Sequence, residues 1–154
     1  MPAMYFDTSA LVKRYVSEVG SHWVRATLAQ LSQNVVYAST LAQPEVLSAL
    51  QRKVRESQLA QVDAHRLARR VTSHFAWRYR LLAITPGVVA QACELVQAHP
   101  LRAYDAVHLA CALAVHERLQ QYGGPVLCFV AADATLLAAA TAEGLEADNP
   151  LWHP

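Results

Sequence analysis

The sequence predicts an α/β fold in which a doubly wound, mainly parallel sheet lies between layers of helices. Short apolar runs alternate with longer amphipathic runs along the whole chain, as strands and helices do in this fold class. The run Val126–Val130 is apolar throughout, which is typical of a parallel strand buried on both faces. Acidic residues also stand at the ends of strand-like runs or at helix starts, the positions that converge on one crevice in an open α/β sheet.

Composition favours one folded domain spanning residues 1–154. Hydrophobic residues make up 54% of the 154 residues and charged residues 16%, which argues against disorder. No apolar run approaches the roughly 18 residues that a membrane span needs. The N-terminus has no basic region before an apolar stretch, and Asp7 would interrupt a signal peptide. We therefore expect a cytoplasmic protein without a membrane segment, and the three cysteines, an odd number in apolar surroundings, are expected to be reduced core thiols.

In the first half of the chain, apolar spacing and helix-capping residues predict three strands and four helices. The predicted strands are Ala3–Phe6, Val35–Ala38 and Leu81–Ile84. The first helix starts through Asp7-Thr8-Ser9 and continues over Ala10–Tyr15, and the second is opened by Ser21 and carries Trp23, Val24, Leu28 and Leu31 at helical spacing. A third is capped by Ser39 or Thr40, with Pro44 in its first turn, and a fourth runs from Gln58 to about Trp77, with Leu59, Val62, Leu67, Val71 and Phe75 facing inward.

In the second half, three further helices and one strand are predicted. A helix starts at Thr85-Pro86 and ends at His99-Pro100, and a strongly apolar helix runs from Tyr104 to about Gln121. The pair Gly123-Gly124 predicts a turn before the strand Val126–Val130. Asp133 then begins the last helix, which stops near Gly144.

Four acidic residues are the strongest functional signal: Asp7, Glu45, Asp105 and Asp133. Each of them has an alternative explanation, because acids are favoured as N-caps and in first helical turns. Glu45 fits that explanation less well, since Leu41 and Ala49 on the same helical face are apolar. If the topology brings the four carboxylates together, they repel one another, and a hard divalent cation is the usual remedy.

Neighbouring polar residues add to this candidate site. Ser9 and Thr8 could bond metal-bound water or simply cap the first helix. His108 lies one turn after Asp105 and could serve as a ligand or a proton carrier, although a packed helix residue is the commoner role for such a histidine.

The charge is unevenly distributed. Between Arg52 and Arg80, eight basic residues stand against two acidic ones, so this segment carries +6 and the rest of the chain −5 of the net +1. Such asymmetry is typical of a protein that handles a polyanion beside a metal site, although two solvated helix faces would produce it as well. The candidate phosphate-binding residues are Arg52, Lys53, Arg55, Arg66, Arg69 and Arg70.

Four motifs, each presenting one of these acids, closely resemble the PIN domain, and more narrowly the VapC-type ribonuclease toxins of bacterial toxin–antitoxin pairs. The resemblance covers Met4 to Asn149-Pro150 in the right order. The motifs are Asp7-Thr8-Ser9-Ala10-Leu11-Val12-Lys13, then Glu45-Val46-Leu47-Ser48-Ala49-Leu50, then Tyr104-Asp105-Ala106-Val107-His108-Leu109-Ala110, and finally Phe129-Val130-Ala131-Ala132-Asp133 with Leu136-Leu137.

The resemblance implies that the acids bind Mg²⁺ or Mn²⁺ and that the protein cleaves RNA phosphodiesters. By position, Asp7, Glu45, Asp105 and Asp133 match the acidic quartet, and Ser9 matches the small hydroxyl residue two beyond the first acid. It also implies a cognate antitoxin and a homodimer. Two positions depart from the common pattern: Ala131, where many members have Ser or Thr, and Pro44 directly before Glu45.

Other functions are weighed against this one. A phosphatase with an aspartyl nucleophile usually has a second acid two residues after the first, where Ser9 stands here. A catalytically silent RNA- or protein-binding module remains an alternative, since Ala131 departs from the pattern. A nuclease that prefers DNA is a variant of the main interpretation.

Overall fold

The computed structural model describes residues 1–30 and 32–154, so that Leu31 lies outside the described residues. Five parallel strands form one sheet in the order β3-β2-β1-β4-β5. The strands are β1 Ala3–Phe6, β2 Val35–Ser39, β3 Arg80–Leu82, β4 Leu127–Val130 and β5 Glu146–Asp148. The helices are α1 Thr8–Tyr15, α2 Ser21–Ala29, α3 Ala42–Arg55, α4 Gln61–Trp77, α5 Pro86–Ala98, α6 Ala103–Gln121 and α7 Ala134–Ala142, followed by a 3₁₀ turn at Pro150–Trp152. The predicted doubly wound sheet is confirmed.

Each face of the sheet carries its own core. Tyr5 and Phe129 point to the face covered by α5, α6 and α7, whereas Phe6 and Val130 point to the face covered by α1 to α4. This alternation follows from the two-residue repeat of a strand, and it explains why β1 and β4 are apolar at consecutive positions.

The strand order places a switch point in the centre of the sheet. The chain moves from β1 through β2 to β3 on one side and then returns to add β4 and β5 on the other. Loops leaving the carboxyl ends of β1 and β4 therefore diverge, which opens a crevice between them. Asp7 directly follows β1, so the first candidate acid lies in this crevice.

Several element boundaries differ from the predictions. The α4 helix begins at Gln61 and not Gln58, because the Gln58 N–H donates to the Lys53 carbonyl and Ser57 has a φ of 57°, which ends α3. Val62 was expected to face inward but is 74% exposed. The N-cap position of α3 is Leu41 and not Ser39 or Thr40 as predicted. No side chain caps the helix there, and the Leu41 N–H donates to Ser39 Oγ. Strand β3 ends two residues earlier than predicted.

Two further differences concern the end of the chain and the cysteines. Strand β5 was not predicted, because its three residues include two acids and its pairing with β4 lies outside the local pattern. Cys111 is buried and Cys128 half-buried, but Cys93 is exposed, which contradicts its assignment to the core. In the described part of the chain, no helix is long and apolar enough to cross a membrane.

Candidate active site

Asp7 is held at the junction of β1 and α1. Its backbone N–H donates to the Val130 carbonyl, and its Oδ1 accepts from the Ala10 N–H at 3.0 Å and from Ser9 Oγ at 2.7 Å. The residue is 4% exposed, and burial raises the pKa of its carboxyl to about 6, with nearby Asp105 adding to the rise and His108 opposing it. Asp7 is both the N-cap of α1 and a buried acid at the switch point, so its capping role does not exclude a functional one.

Ser9 connects this acid to the far side of the crevice. Its hydroxyl donates to Asp7 and accepts from the Ala132 N–H at 2.9 Å. One side chain thereby fixes the orientation of the Asp7 carboxylate and joins the loop after β4 to the start of α1. Ala131, one of the two positions that depart from the expected pattern, is fully buried, and its N–H donates to the Asp148 carbonyl.

Glu45 is held by a chain of polar side chains that begins in the core. Tyr5 and His108 are buried, and the Tyr5 hydroxyl lies 3.0 Å from His108 Nδ1. His108 Nε2 lies 2.7 Å from Glu45 Oε1, and Thr8 Oγ1 donates to the same oxygen at 3.0 Å. Because a carboxylate accepts hydrogen bonds, these partners place the proton of a neutral His108 on Nε2. His108 is therefore a packed helix residue, as expected, that also positions Glu45.

Asp105 and Asp133 lie on either side of Arg102. Arg102 Nε donates to Asp105 Oδ2 at 3.0 Å, and its terminal nitrogen lies 3.9 Å from Asp133 Oδ2. Asp133 is also the N-cap of α7, accepting from the Leu136 N–H at 3.1 Å. The Arg102 side chain is 81% exposed, so its hold on the two acids is weak and can be released.

Three of the four predicted acids line one cavity. Asp7, Glu45 and Asp105 share an open cavity of about 620 Å³ with Thr8 and Ser9. Asp133 lies apart from them and lines an adjoining cavity of about 210 Å³, into which Asp105 also projects. The structure thus brings the acids to one end of the sheet, with Asp133 at the margin.

The donor chemistry of this cavity fits a hard divalent cation. All the candidate ligands are carboxylate oxygens, which Mg²⁺ and Mn²⁺ prefer. Burial raises the pKa of Asp7, and a bound cation would favour the charged form of this carboxylate. Among the described residues, however, no three His, Cys, Asp or Glu side chains are grouped closely enough to hold a metal ion. The exposed Arg102 holds Asp105, so binding would require release of that carboxylate.

The predicted phosphate-binding residues do not form one surface. Arg52 lines the acidic cavity, whereas Lys53 lies beside Glu18 and Gln58, and Arg66 forms a salt bridge with Asp63. Arg70 lines a separate cavity, and Arg55 and Arg69 are exposed on their helices.

Arg102, and the bond between His108 and Glu45, were not predicted. Arg102 precedes Asp105 by three residues, a spacing at which side chains on a helix can meet, and this was the available signal.

A parallel sheet with carboxylates gathered at its switch point defines a class of small α/β protein with an acidic crevice. Residues 4–127 match the model of the PIN domain family. The chain is 39% identical, over 115 residues, to two proteins of Mycobacterium tuberculosis called ribonuclease VapC45 and ribonuclease VapC49, and the match covers 75% of this chain and 78% of each relative. The chain therefore belongs to the PIN domain family, and its resemblance to VapC ribonucleases is confirmed.

Solved structures agree on the fold. FitAcB from Neisseria gonorrhoeae matches with a TM-score of 0.65 at 19% identity, covering 98% of this chain and 99% of that one. VapC20 of Mycobacterium tuberculosis, described as a toxin that cleaves the sarcin–ricin loop, matches with a TM-score of 0.63 at 19% identity, covering 92% and 95%. VapBC2 from Rickettsia felis, bound to a DNA fragment from its promoter, matches with a TM-score of 0.63 at 12% identity, covering 96% and 98%.

Proposed function

We propose that this protein is a metal-dependent endoribonuclease and the toxin of a toxin–antitoxin pair. The observation that carries the proposal is the cavity in which Asp7, Glu45 and Asp105 meet, in a chain 39% identical to proteins called VapC ribonucleases. Carboxylates alone would repel a phosphodiester, so this cavity needs a cation before it can accept one.

In the proposed mechanism, Asp7, Glu45 and Asp105 would hold Mg²⁺ or Mn²⁺, and Asp133 would complete the site from its margin. When bound, such an ion would lower the pKa of water and would offset the charge that develops on the scissile phosphate. Ser9 holds the Asp7 carboxylate in place, and His108 does the same for Glu45. Arg52 and Arg102 line the cavity. Arg52 and a released Arg102 would bind phosphate oxygens of the substrate at its rim.

We also propose that a cognate antitoxin inhibits the protein and that two copies form a homodimer. Support for an antitoxin comes from structures of similar fold, among them VapBC-1 from Haemophilus influenzae (TM-score 0.60) and a toxin–antitoxin complex from Klebsiella pneumoniae (TM-score 0.56). A short reading frame next to this gene would encode the antitoxin, and light scattering of the purified protein would give its mass. We propose a cytoplasmic location, because the proposed substrate is RNA.

The proposal is tested by incubating a mixed RNA pool with purified protein in Mg²⁺, in Mn²⁺ and in EDTA, beside Asp7→Asn and Asp105→Asn variants. We expect cleavage that requires metal and both acids, with a loss of at least two orders of magnitude in each variant, because each supplies a charge that binds the cation. A DNA pool of the same length tests the sugar preference. Normal cleavage by either variant would contradict the assignment.

If the wild-type protein is folded, free of inhibitor and inactive under both metals, the alternative function is favoured, a silent RNA- or protein-binding module. Circular dichroism of both variants is the control for folding. Asparagine is also a good N-cap, so Asp7→Asn should retain α1.

A further inference from the structure

A cavity lined by arginines lies away from the acidic cavity, on the face of the sheet covered by α1 to α4. It has a volume of about 350 Å³ and is lined by Arg14, Tyr15, Arg25 and Arg70. Three different helices contribute to it: the last turn of α1, the middle of α2 and the middle of α4. None of the four acids contributes to its lining, so this cavity is distinct from the proposed active site.

Two of the three arginines are held in place by neutral partners. The terminal nitrogen of Arg14 donates to the Tyr79 hydroxyl at 3.0 Å, and its guanidinium lies 6.0 Å from the centre of the Tyr79 ring. Arg25 donates through Nε to the Arg14 carbonyl and through a terminal nitrogen to Ser17 Oγ, both at 3.0 Å. These bonds orient the guanidinium groups without neutralising their charge.

No carboxylate among the described residues lies within salt-bridge distance of Arg14, Arg25 or Arg70. The salt bridges among the described residues use other cations, namely Lys13, Lys53, Arg66, Arg102 and three histidines. The excess of positive charge also affects nearby His74. Burial lowers the pKa of its imidazole to about 4, and Arg14, Arg70 and Arg78 contribute to that decrease. Three cations that repel one another across a cavity are stabilised by an anion between them.

We propose that the cavity lined by Arg14, Arg25 and Arg70 is a phosphate-binding subsite. Guanidinium groups bind phosphate oxygens in pairs of parallel hydrogen bonds, and several of them around one cavity suit a group with more than one charged oxygen. An acidic peptide would offer separate carboxylates, whereas three guanidinium groups around one small cavity favour a compact acceptor with several charged oxygens.

The subsite is a place for the backbone of the RNA strand, and in this respect the inference rests on the proposed function. Arg14 stands seven residues after Asp7 on the same helix, which is about 10 Å along the axis. A strand passing over the acidic cavity would reach the second cavity a few nucleotides from the cleaved bond. Binding there depends on phosphate and not on base identity, so it would hold every RNA sequence in the same way.

The test measures binding of a labelled 12-nucleotide single-stranded RNA by fluorescence anisotropy, in EDTA so that the strand stays intact, over a series of KCl concentrations. Arg70→Gln is the main variant, because no hydrogen bond of the Arg70 side chain is found among the described residues and its removal breaks none. Arg118→Gln is the matched control, an exposed arginine in the last turn of α6 on the opposite face of the sheet. Arg70→Lys retains the charge and should recover part of the binding.

We expect Arg70→Gln to weaken RNA binding about fivefold, the upper range for one exposed ion pair. The slope of log affinity against log salt should also fall by about 0.7, the value for one phosphate contact on a single strand. Arg118→Gln should leave both quantities unchanged. Equal losses in the two variants, or no loss in Arg70→Gln, would overturn the proposal, since binding would then be diffuse or would occur elsewhere.

Competition distinguishes the source of the phosphate. Displacement of the RNA by millimolar inorganic phosphate, with a smaller effect in Arg70→Gln, would show that the cavity accepts a free phosphate group. No displacement by phosphate or by a polyglutamate peptide, with the loss in Arg70→Gln retained, would show that the cavity accepts only the phosphodiester backbone, and either result supports the subsite. Displacement by polyglutamate, with none by phosphate, would overturn it. Because EDTA excludes cleavage, these results remain interpretable if the nuclease proposal fails.

Discussion

The Tyr5 hydroxyl shows how a core residue can affect the site without touching it. It is the buried end of the hydrogen-bonded chain through His108 to Glu45. A carboxylate at a helix start is free to turn unless something holds it. His108 supplies that hold, and Tyr5 in turn fixes the orientation of the imidazole.

We therefore expect Tyr5→Phe to lower the free energy of unfolding by about 1–3 kcal/mol, because His108 Nδ1 loses its partner in a buried position. Tyr37→Phe is the matched control: Tyr37 pairs with Tyr5 in register on β2, and no hydrogen bond of its hydroxyl is found among the described residues. Urea denaturation of both variants measures the difference. Equal costs in the two variants would show that the bond to His108 contributes nothing.

His74 predicts a pH dependence of stability. The pKa of its imidazole is lowered to about 4 in the folded protein, chiefly by burial, against roughly 6.5 in an unfolded chain. Between these values the unfolded chain binds a proton that the folded protein does not. Stability should therefore be complete above about pH 6.5 and should fall as the pH drops toward 4.

Thermal melts of the wild type, His74→Gln and His65→Gln at pH 7, 5.5 and 4.5 check this expectation. His65 is the control because it is exposed on the same helix, α4. The wild type and His65→Gln should lose melting temperature in parallel as the pH falls, and His74→Gln should lose less. A His74→Gln curve parallel to the wild type would assign the acid sensitivity to other groups.

At the scale of the elements, the helices that the sequence predicts best are those with a capping side chain directly before their first turn. Asp7, Thr85 and Asp133 each accept a backbone hydrogen bond at the start of a helix, and the α1, α5 and α7 boundaries were predicted to within about one residue. The predicted start of α4 was wrong, because Ala60 has no side chain that can cap a helix and the residues before it complete the end of α3. Strand β5 was missed since it is specified by pairing with β4 and not by its own side chains.

The same reasoning explains what was predicted of the site. The acids were found because each stands at an element boundary, which a sequence reveals, and topology then brings boundaries together. The hydrogen bonds between these acids and their neighbours were not predicted. The bond between His108 and Glu45, for example, joins residues 63 positions apart. The distribution of the basic residues likewise depends on which helix faces turn toward the cavity, so that only Arg52 of the six predicted residues lines it.

Gly20 lies where α2 and the 3₁₀ turn at Pro150–Trp152 are in close contact. It stands before α2 with a φ of +86°, and a Cβ at this position would lie 2.5 Å from the Pro150 carbonyl oxygen. Gly144 has a similar φ of +94° but open space around it. We expect Gly144→Ala to cost about 1 kcal/mol from backbone strain alone. Gly20→Ala should cost at least twice as much, because the 3₁₀ turn must also move.

Denaturant midpoints of the two alanine variants measure this difference, with equal slopes required for the comparison. Equal destabilisation would mean that the turn at Pro150–Trp152 moves away from α2 at no cost. That result would separate the C-terminal turn from the rest of the fold.

At the scale of the whole molecule, the proposed metal binding would stabilise the fold through the switch point. The acidic cavity is lined by the junction of β1 and α1, by α3 and by the start of α6, so its carboxylates belong to elements that are distant in sequence. A cation bound by Asp7, Glu45 and Asp105 would join these elements in the folded state and would find no such arrangement in the unfolded chain. Mg²⁺ or Mn²⁺ should therefore raise the melting temperature.

At a metal concentration about 100 times the Kd, the expected gain is about 2.7 kcal/mol, or about 5–10 °C for a chain of this size. Asp7→Asn should lose most of this gain, because it removes a charge from the centre of the site, whereas Asp63→Asn on the exposed face of α4 should retain it. Differential scanning fluorimetry across a metal titration measures all three proteins at once. If Asp63→Asn lost the gain as Asp7→Asn does, the ions would be acting by general screening, and the acidic cavity would not be the metal site.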